Sequence, residues 1–213
     1  MPIEIFSSGQ NAKIGSNTAI LNLPPVKTCT NCSTCKDSCY ARFRYQYPNV
    51  QKRWDRNLAM TKQENFVELS TTELKYKACP IVRFHESGDF YNDSYIKKCG
   101  ELAVMNPHIR FYGYTKNKKA LVLNSISNVN IIYSMIITPN GELRNYGTVD
   151  YCNYLHDNFG TLICPHDETW KEKGMKCMID CTECLTCKSV CFVEHGRQRK
   201  SDKYSDKILS QVK

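Results

Sequence analysis

Ile81-Val82-Arg83-Phe84-His85-Glu86-Ser87-Gly88-Asp89-Phe90 is the stretch that decides the fold. Its first five residues read as a strand, and Glu86 to Phe90 reads as a turn at the strand's carboxyl end. Upstream, Thr61-Lys62-Gln63-Glu64 is a capping-box pattern. It predicts a helix to about Lys77 with Phe66, Leu69 and Leu74 on its buried face, ended by Cys79-Pro80. Downstream, Asn92 or Asp93 caps a helix that runs to about Met105 and stops at Asn106-Pro107. Ile109 to Tyr114 is the next strand, with Thr115, Lys116 and Asn117 at its carboxyl end. A third helix over Lys118 to Ile126 and a third strand over Asn130 to Ile137 follow. Residues 1–17 read as a short strand and a loop, and Thr18 to Leu23 as a strand stopped by Pro24-Pro25. The region 138–158 is loop-like, with an Asn140-Gly141 turn, and Gly160 to Cys164 is a short apolar strand.

Strands alternating with helices predict right-handed βαβ units and a parallel sheet, hence an α/β fold. The chain's 213 residues are too few for a full eight-fold barrel, which takes about 250. A partial parallel (β/α) barrel or an open sheet fits better. Residues 1–170 make the core under this reading. Residues 171–213 make a cysteine-rich, metal-binding appendage with a basic tail. Glu86, Ser87, Gly88 and Asp89, then Thr115 and Lys116, then His166 and Asp167 all fall where strands end, the usual place for sites in parallel α/β proteins.

Two cysteine runs stand apart from this pattern. Cys29 to Cys39 reads C-T-N-C-S-T-C-K-D-S-C, and Cys181 to Cys191 reads C-T-E-C-L-T-C-K-S-V-C. Both have the spacing C-x2-C-x2-C-x3-C, which brings thiolates to one metal centre as the backbone turns between them. The spacing is that of bacterial ferredoxins, where the fourth cysteine ligates the other cluster. By that logic Cys29, Cys32 and Cys35 hold one cluster with Cys191, and Cys181, Cys184 and Cys187 hold another with Cys39. The ferredoxin run continues into proline, whereas Tyr40 and Phe192 follow here, so each run closing its own centre stays open. Zinc is the alternative metal, since paired C-x2-C units also make four-cysteine zinc sites. Disulfides fit less well, because 13 cysteines leave at least one without an intramolecular partner. Cys177 precedes the second run. Cys79, Cys99, Cys152 and Cys164 read as core thiols, and His166-Asp167 as a helix cap or a metal ligand.

A hydrophobic fraction of 41% and a charged fraction of 23% belong to a soluble globular protein. No apolar run reaches the length of a membrane span, and the first residues lack the pattern of a signal peptide. A reducing, cytoplasmic setting is expected, which suits thiolate ligands. The net charge of +8 favours an acidic partner, nucleic acid being the commonest. After Cys39, the residues Arg42, Arg44, Lys52, Arg53 and Arg56 are interleaved with Tyr40, Phe43, Tyr45, Tyr47 and Trp54. Arginines pair with phosphates and rings stack on bases. The same pattern also describes an amphipathic segment with its rings packed on the core.

With these residues in view, the chain resembles an uncharacterised phage family called gene product 88. The resemblance rests on the early cysteine run with C-Y-A-R (Cys39 to Arg42), on R-F-H-E-S-G-D-F (Arg83 to Phe90), on F-Y-G-Y-T-K (Phe111 to Lys116) and on the late cysteine cluster. It implies a phage-encoded protein working in the host cytoplasm. More distantly, a cysteine loop after the first strand of a partial barrel and a Gly-acid turn after the next resemble radical S-adenosylmethionine enzymes. That resemblance implies three cysteines on a [4Fe-4S] cluster, S-adenosylmethionine on its open iron, a reductant partner, and a 5′-deoxyadenosyl radical that abstracts hydrogen. The turn Ser87-Gly88-Asp89 would then contact the cofactor. The usual spacing, C-x3-C-x2-C, differs from the first run, where Cys32, Cys35 and Cys39 carry the two gaps in the opposite order. It occurs instead at Cys177, Cys181 and Cys184.

Under this reading His85 and Asp89 face the cavity mouth, with Glu86 on the opposite side of the strand. Tyr114 and Lys116 meet substrate, and His85, Asp89 and Lys116 are the catalytic candidates. Arg42, Arg44, Arg53 and Arg56 are the candidate nucleic-acid contacts. The expected function is a radical enzyme acting on a nucleic acid, a nucleotide or a small molecule, with one [4Fe-4S] cluster or two. The alternative is a zinc- or cluster-stabilised protein that binds nucleic acid or a host protein without catalysis. A ferredoxin-like carrier is the third class, for which a long α/β core is unnecessary.

Overall fold

A computed structural model describes residues 4–9, 14, 16–30, 39–134, 136–137, 143–144, 155, 157–158, 162–164, 185–186 and 190–192. Five strands form one mixed sheet in the order β1 (Phe6–Ser8), β2 (Thr18–Leu21), β3 (Ile81–Phe84), β4 (Arg110–Thr115) and β5 (Val129–Tyr133). The β1–β2 pair is antiparallel, and β2 to β5 are parallel. The α/β reading holds. Each parallel strand lies beside the next one in sequence, so the carboxyl ends of β2, β3, β4 and β5 all point the same way.

The connections explain the order. Helices α1 (Tyr40–Tyr45), α2 (Pro48–Lys62) and α3 (Phe66–Lys77) carry the chain from β2 to β3. Helix α4 (Asp93–Met105) joins β3 to β4, and a 3-10 helix (Lys118–Ser125) joins β4 to β5. Pro48 opens α2, where a missing N–H costs nothing. Asn92 caps α4, its side chain accepting from the Tyr95 N–H at 2.8 Å. At the far end, the Asn128 amide donates to the carbonyls of Ala103 and Asn106, at the C-terminal end of α4.

Alternation along the strands sorts two faces. Leu21, Val82, Phe84, Phe111 and Ile131 point toward α3, α4 and the 3-10 helix, against Phe66, Leu74, Tyr95, Leu102 and Leu123. Burying each such side chain contributes about 1.5–3 kcal/mol. Gly113 pairs with Phe84 in register, and a Cβ there would stand 2.9 Å from the Phe84 carbonyl oxygen, so only glycine lets β3 and β4 close. The opposite face carries Arg83, Tyr112, Tyr114 and Ile132. Val190 packs on this second face against Tyr112 and Ile132. It belongs to β9 (Val190–Phe192), which pairs in parallel with β8 (Leu162–Cys164).

Several boundaries differ from the sequence reading, among them that β2 ends at Leu21 rather than Leu23. Thr61 does not cap α3. It lies in the last turn of α2, where its hydroxyl donates to the Leu58 carbonyl and also meets the Tyr91 hydroxyl, each at 2.8 Å. Helix α3 begins instead at Phe66, behind Asn65. The third helix is a 3-10 helix, set by Asn117, whose side chain accepts from the Lys119 N–H. The strand expected to run to Ile137 stops at Tyr133, and β6 (Ile136–Ile137) turns away to pair with β7 (Leu143–Arg144). Asn140-Gly141, Cys152, His166-Asp167 and Cys177 lie outside the described residues.

Candidate functional site at the carboxyl ends of the parallel strands

The chain leaves β2 into the segment that leads to Cys29, and this segment is fastened to the turn after β3. The Leu23 N–H donates to the Ser87 carbonyl at 2.9 Å. Ser87 returns its hydroxyl to the Leu23 carbonyl at 2.8 Å and its N–H to Asn22 Oδ1 at 2.9 Å. Gly88 adopts φ 83°, and a Cβ on it would lie 2.6 Å from Thr28 Oγ1 and 2.7 Å from Leu23 Cβ. Glycine is required here twice over, by its backbone conformation and by the closeness of the loop.

Val26 has φ 67°, and the Lys27 N–H donates to the Pro25 carbonyl at 2.7 Å. A β-branched residue at positive φ is strained, and such strain gathers at functional sites. Three residues later Cys29 stands half-buried. The other end of the run, Cys39, is also half-buried and precedes α1. Tyr40 follows it, and its hydroxyl donates to the Glu86 carbonyl. Both ends of the first cysteine run are therefore held on residues 86–88. Cys32 and Cys35 lie outside the described residues, as do Cys181, Cys184 and Cys187, while Cys191 enters only through the backbone of β9.

Asp89 locks the next connection. Its carboxylate accepts from Thr115 Oγ1 at 2.6 Å, from the Lys116 N–H at 2.9 Å and from the Phe90 N–H at 2.7 Å. Burial pushes its pKa up, against the pull of these three donors. Asp89 and Lys116 thus meet at the ends of β3 and β4, through the Lys116 backbone. Asp89 is only 5% exposed, with both carboxylate oxygens occupied by the protein.

His85 departs from expectation. It has φ 59°, which swings its ring from the strand end into the helix layer. There it is 4% exposed, with Nε2 2.8 Å from the Tyr95 hydroxyl and its ring edge-on to Phe90 at 4.6 Å. Burial, with Arg83 nearby, lowers its pKa to about 3, so it stays neutral. It does not face the cavity mouth. The reason is local: alternation breaks at a left-handed residue, which no periodicity reveals.

Glu86 lies on the side away from His85, and it faces Arg83. Arg83 points to the face opposite the helices. Its Nη1 lies 3.8 Å from Glu86 Oε1, and its guanidinium carbon lies 5.5 Å from the Tyr114 ring and 6.0 Å from the Tyr112 ring. The signal available beforehand was Arg83 on the off-beat of Val82 and Phe84, with Tyr112 and Tyr114 in the same phase one strand away.

The arginines of the next helices divide. Arg53 pairs with Glu4 at 2.8 Å, and Arg56 donates to the Glu4 carbonyl, so both tether the entry to β1. Arg42 and Arg44 lie on α1 beside Tyr40, Phe43 and Tyr47, whose rings are about half exposed at 56%, 47% and 53%. Trp54 is buried and stacks on Tyr45 at 6.0 Å. The rings thus split between core and surface.

The family model for Gene product 88 matches residues 5–144. The chain belongs to the Gene product 88 family. The match takes in the first cysteine run, the turn at residues 86–89 and the end of β4, while the second run at 181–191 lies beyond it. No curated protein and no solved structure matches the chain. Among the described residues, no helix is long and apolar enough to cross a membrane.

Proposed function

We propose that this Gene product 88 protein is an iron–sulfur enzyme of radical S-adenosylmethionine-like type, acting on a nucleic acid, a nucleotide or a small molecule. One observation carries the reading. The first cysteine run leaves the end of one parallel strand and is anchored at both ends on the Gly-acid turn of the next, through Thr28 and Leu23 on Gly88 and through Tyr40 on Glu86. In this reading β2 to β5 are part of a partial parallel barrel, and the second cysteine run forms a metal-binding appendage with a second cluster or a zinc.

Three cysteines of the first run, Cys29, Cys32 and Cys35 or else Cys32, Cys35 and Cys39, would hold a [4Fe-4S] cluster with one iron left open, and Cys181, Cys184, Cys187 and Cys191 would hold an auxiliary cluster or a zinc. Ser87 and Asp89 spend their side-chain oxygens on Leu23, Thr115 and Lys116. They shape the turn and leave cofactor contact to its backbone. When bound, a reduced cluster with S-adenosylmethionine supplies one-electron, hydrogen-abstracting chemistry, and needs a reductant partner. Tyr114 and Lys116 stand at the end of β4, where substrate would lie. The test is to add S-adenosylmethionine to the dithionite-reduced protein and record the spin signal and free methionine. A perturbed signal with methionine release supports the reading, and an unchanged signal with intact cofactor rejects it.

The second reading, a metal-stapled nucleic-acid-binding protein without catalysis, is favoured by α1. Tyr40, Phe43 and Tyr47 are exposed beside Arg42 and Arg44, the combination that stacks on bases and pairs with phosphates. Affinity for single-stranded nucleic acid that falls steeply with salt, and falls further in Phe43→Ala, supports it.

A further inference from the structure

Arg83 is the least satisfied charge among the described residues. Its side chain is only 14% exposed. Its Nε is buried with no hydrogen-bond partner. Among the described residues its one ionic contact is Glu86 at 3.8 Å, beyond hydrogen-bond length. A guanidinium carries five donors in a planar fork. Taking such a group out of water costs several kcal/mol unless the donors are met. Buried polar groups are ordinarily paired, and an exception needs an explanation.

The surroundings describe what the group is for. Arg83 sits in register with Ile20 on β2 and Tyr112 on β4, on the face opposite the helices. The rings of Tyr112 and Tyr114 flank it and hold the fork in place. Burial alone would lower its pKa, and Tyr112, Tyr40 and Glu86 more than offset this, so the charge persists. Glu86 belongs to the turn that anchors the cysteine run, so the guanidinium lies next to the proposed reaction site.

We propose that Arg83 is an anion-binding residue, taking an oxyanion of a small ligand, carboxylate or phosphate, on Nε–H and one Nη–H. Two parallel bonds from this fork match either group. The ring faces of Tyr112 and Tyr114 bound the ligand's position laterally, and Glu86 restricts the approach to one side. The site deepens the reading above, since it gives the substrate or cofactor an acidic group, but its test needs no cluster.

The test is calorimetric titration of the full chain with inorganic phosphate and, separately, with acetate, at constant ionic strength. Saturable binding of either supports the site, and the anion that binds names the class, phosphoryl or carboxyl. Arg83→Lys keeps the charge and loses the fork, so affinity should fall at least about tenfold. Lys97→Arg, on the Glu101 surface pair, should leave it unchanged. The ¹⁵N signal of Arg83 Nε–H in the unsubstituted protein provides a reading that does not depend on the variant folding. It should shift along the same saturation curve. No saturable binding of either anion, or a curve identical in Arg83→Lys, overturns the proposal whether or not the protein holds iron.

Discussion

The Leu23 N–H donates to the Ser87 carbonyl at 2.9 Å, and this one bond registers the loop leaving β2 on the turn leaving β3. Everything proposed for the strand ends depends on that registration. A parallel sheet brings successive carboxyl ends to the same edge. It does not by itself bring their loops into contact. Here glycine removes the side chain that would keep them apart.

Gly88→Ala tests the closeness. The new Cβ must displace Thr28 Oγ1 and Leu23 while the backbone holds φ 83°. Overpacking and left-handed strain together should cost roughly 2–4 kcal/mol. Chemical denaturation measures the loss, and Thr28→Ala in the same chain should return part of it.

Thr115→Val removes the shortest donor to Asp89 and leaves a buried carboxylate short of a partner. The loss should be about 2 kcal/mol at neutral pH. Burial already raises the Asp89 pKa, and removing a donor raises it further. The cost belongs to the ionised form. It should therefore be full above the raised pKa and shrink as pH falls through it, so the variant gap should narrow in acid.

His85 gives the opposite slope. Its pKa is about 3 when folded, against the ordinary 6.5 when unfolded. Below pH 6.5 the unfolded chain takes a proton that the folded chain refuses, so stability falls with pH until about pH 3. Between pH 7 and pH 4 this amounts to roughly 3 kcal/mol. His85→Asn tolerates the left-handed backbone and does not titrate. Its stability profile over that range should be flatter by about this amount.

Val26→Gly tests the strain before Cys29. Releasing a β-branched residue from φ 67° should stabilise the protein by about 1 kcal/mol, net of glycine's greater entropy in the unfolded chain. An equal or lower melting temperature would show the loop unstrained.

The sheet was legible because Ile81 to Phe84, Phe111 to Tyr114 and the helix at Asp93–Met105 carry strong periodic patterns and clear stops. Helix α4 was legible to within one residue of its cap, since Asn92 and Asp93 both precede the amphipathic run and Asn92 takes the cap. The α2–α3 boundary was not. Thr61 to Glu64 imitates a cap, but Pro48 had already started a helix that runs through Thr61. The turn at Ser87 to Asp89 was placed correctly at the strand end. The orientation of His85 was hidden by a single positive φ, and with it the pairing of Arg83 with Glu86. Ring burial on α1 and α2 depended on tertiary contacts: Trp54 packs on Tyr45, while Phe43 meets Tyr47 edge-on at the surface.

Iron and acid-labile sulfide content, measured on protein purified without oxygen, tests the central claim most directly. The account predicts iron and sulfide in near-equal amounts with a broad brown absorption band, and loss of at least one cluster in Cys32→Ser and Cys35→Ser. Zinc without iron would contradict it and leave the metal-stapled nucleic-acid-binding reading.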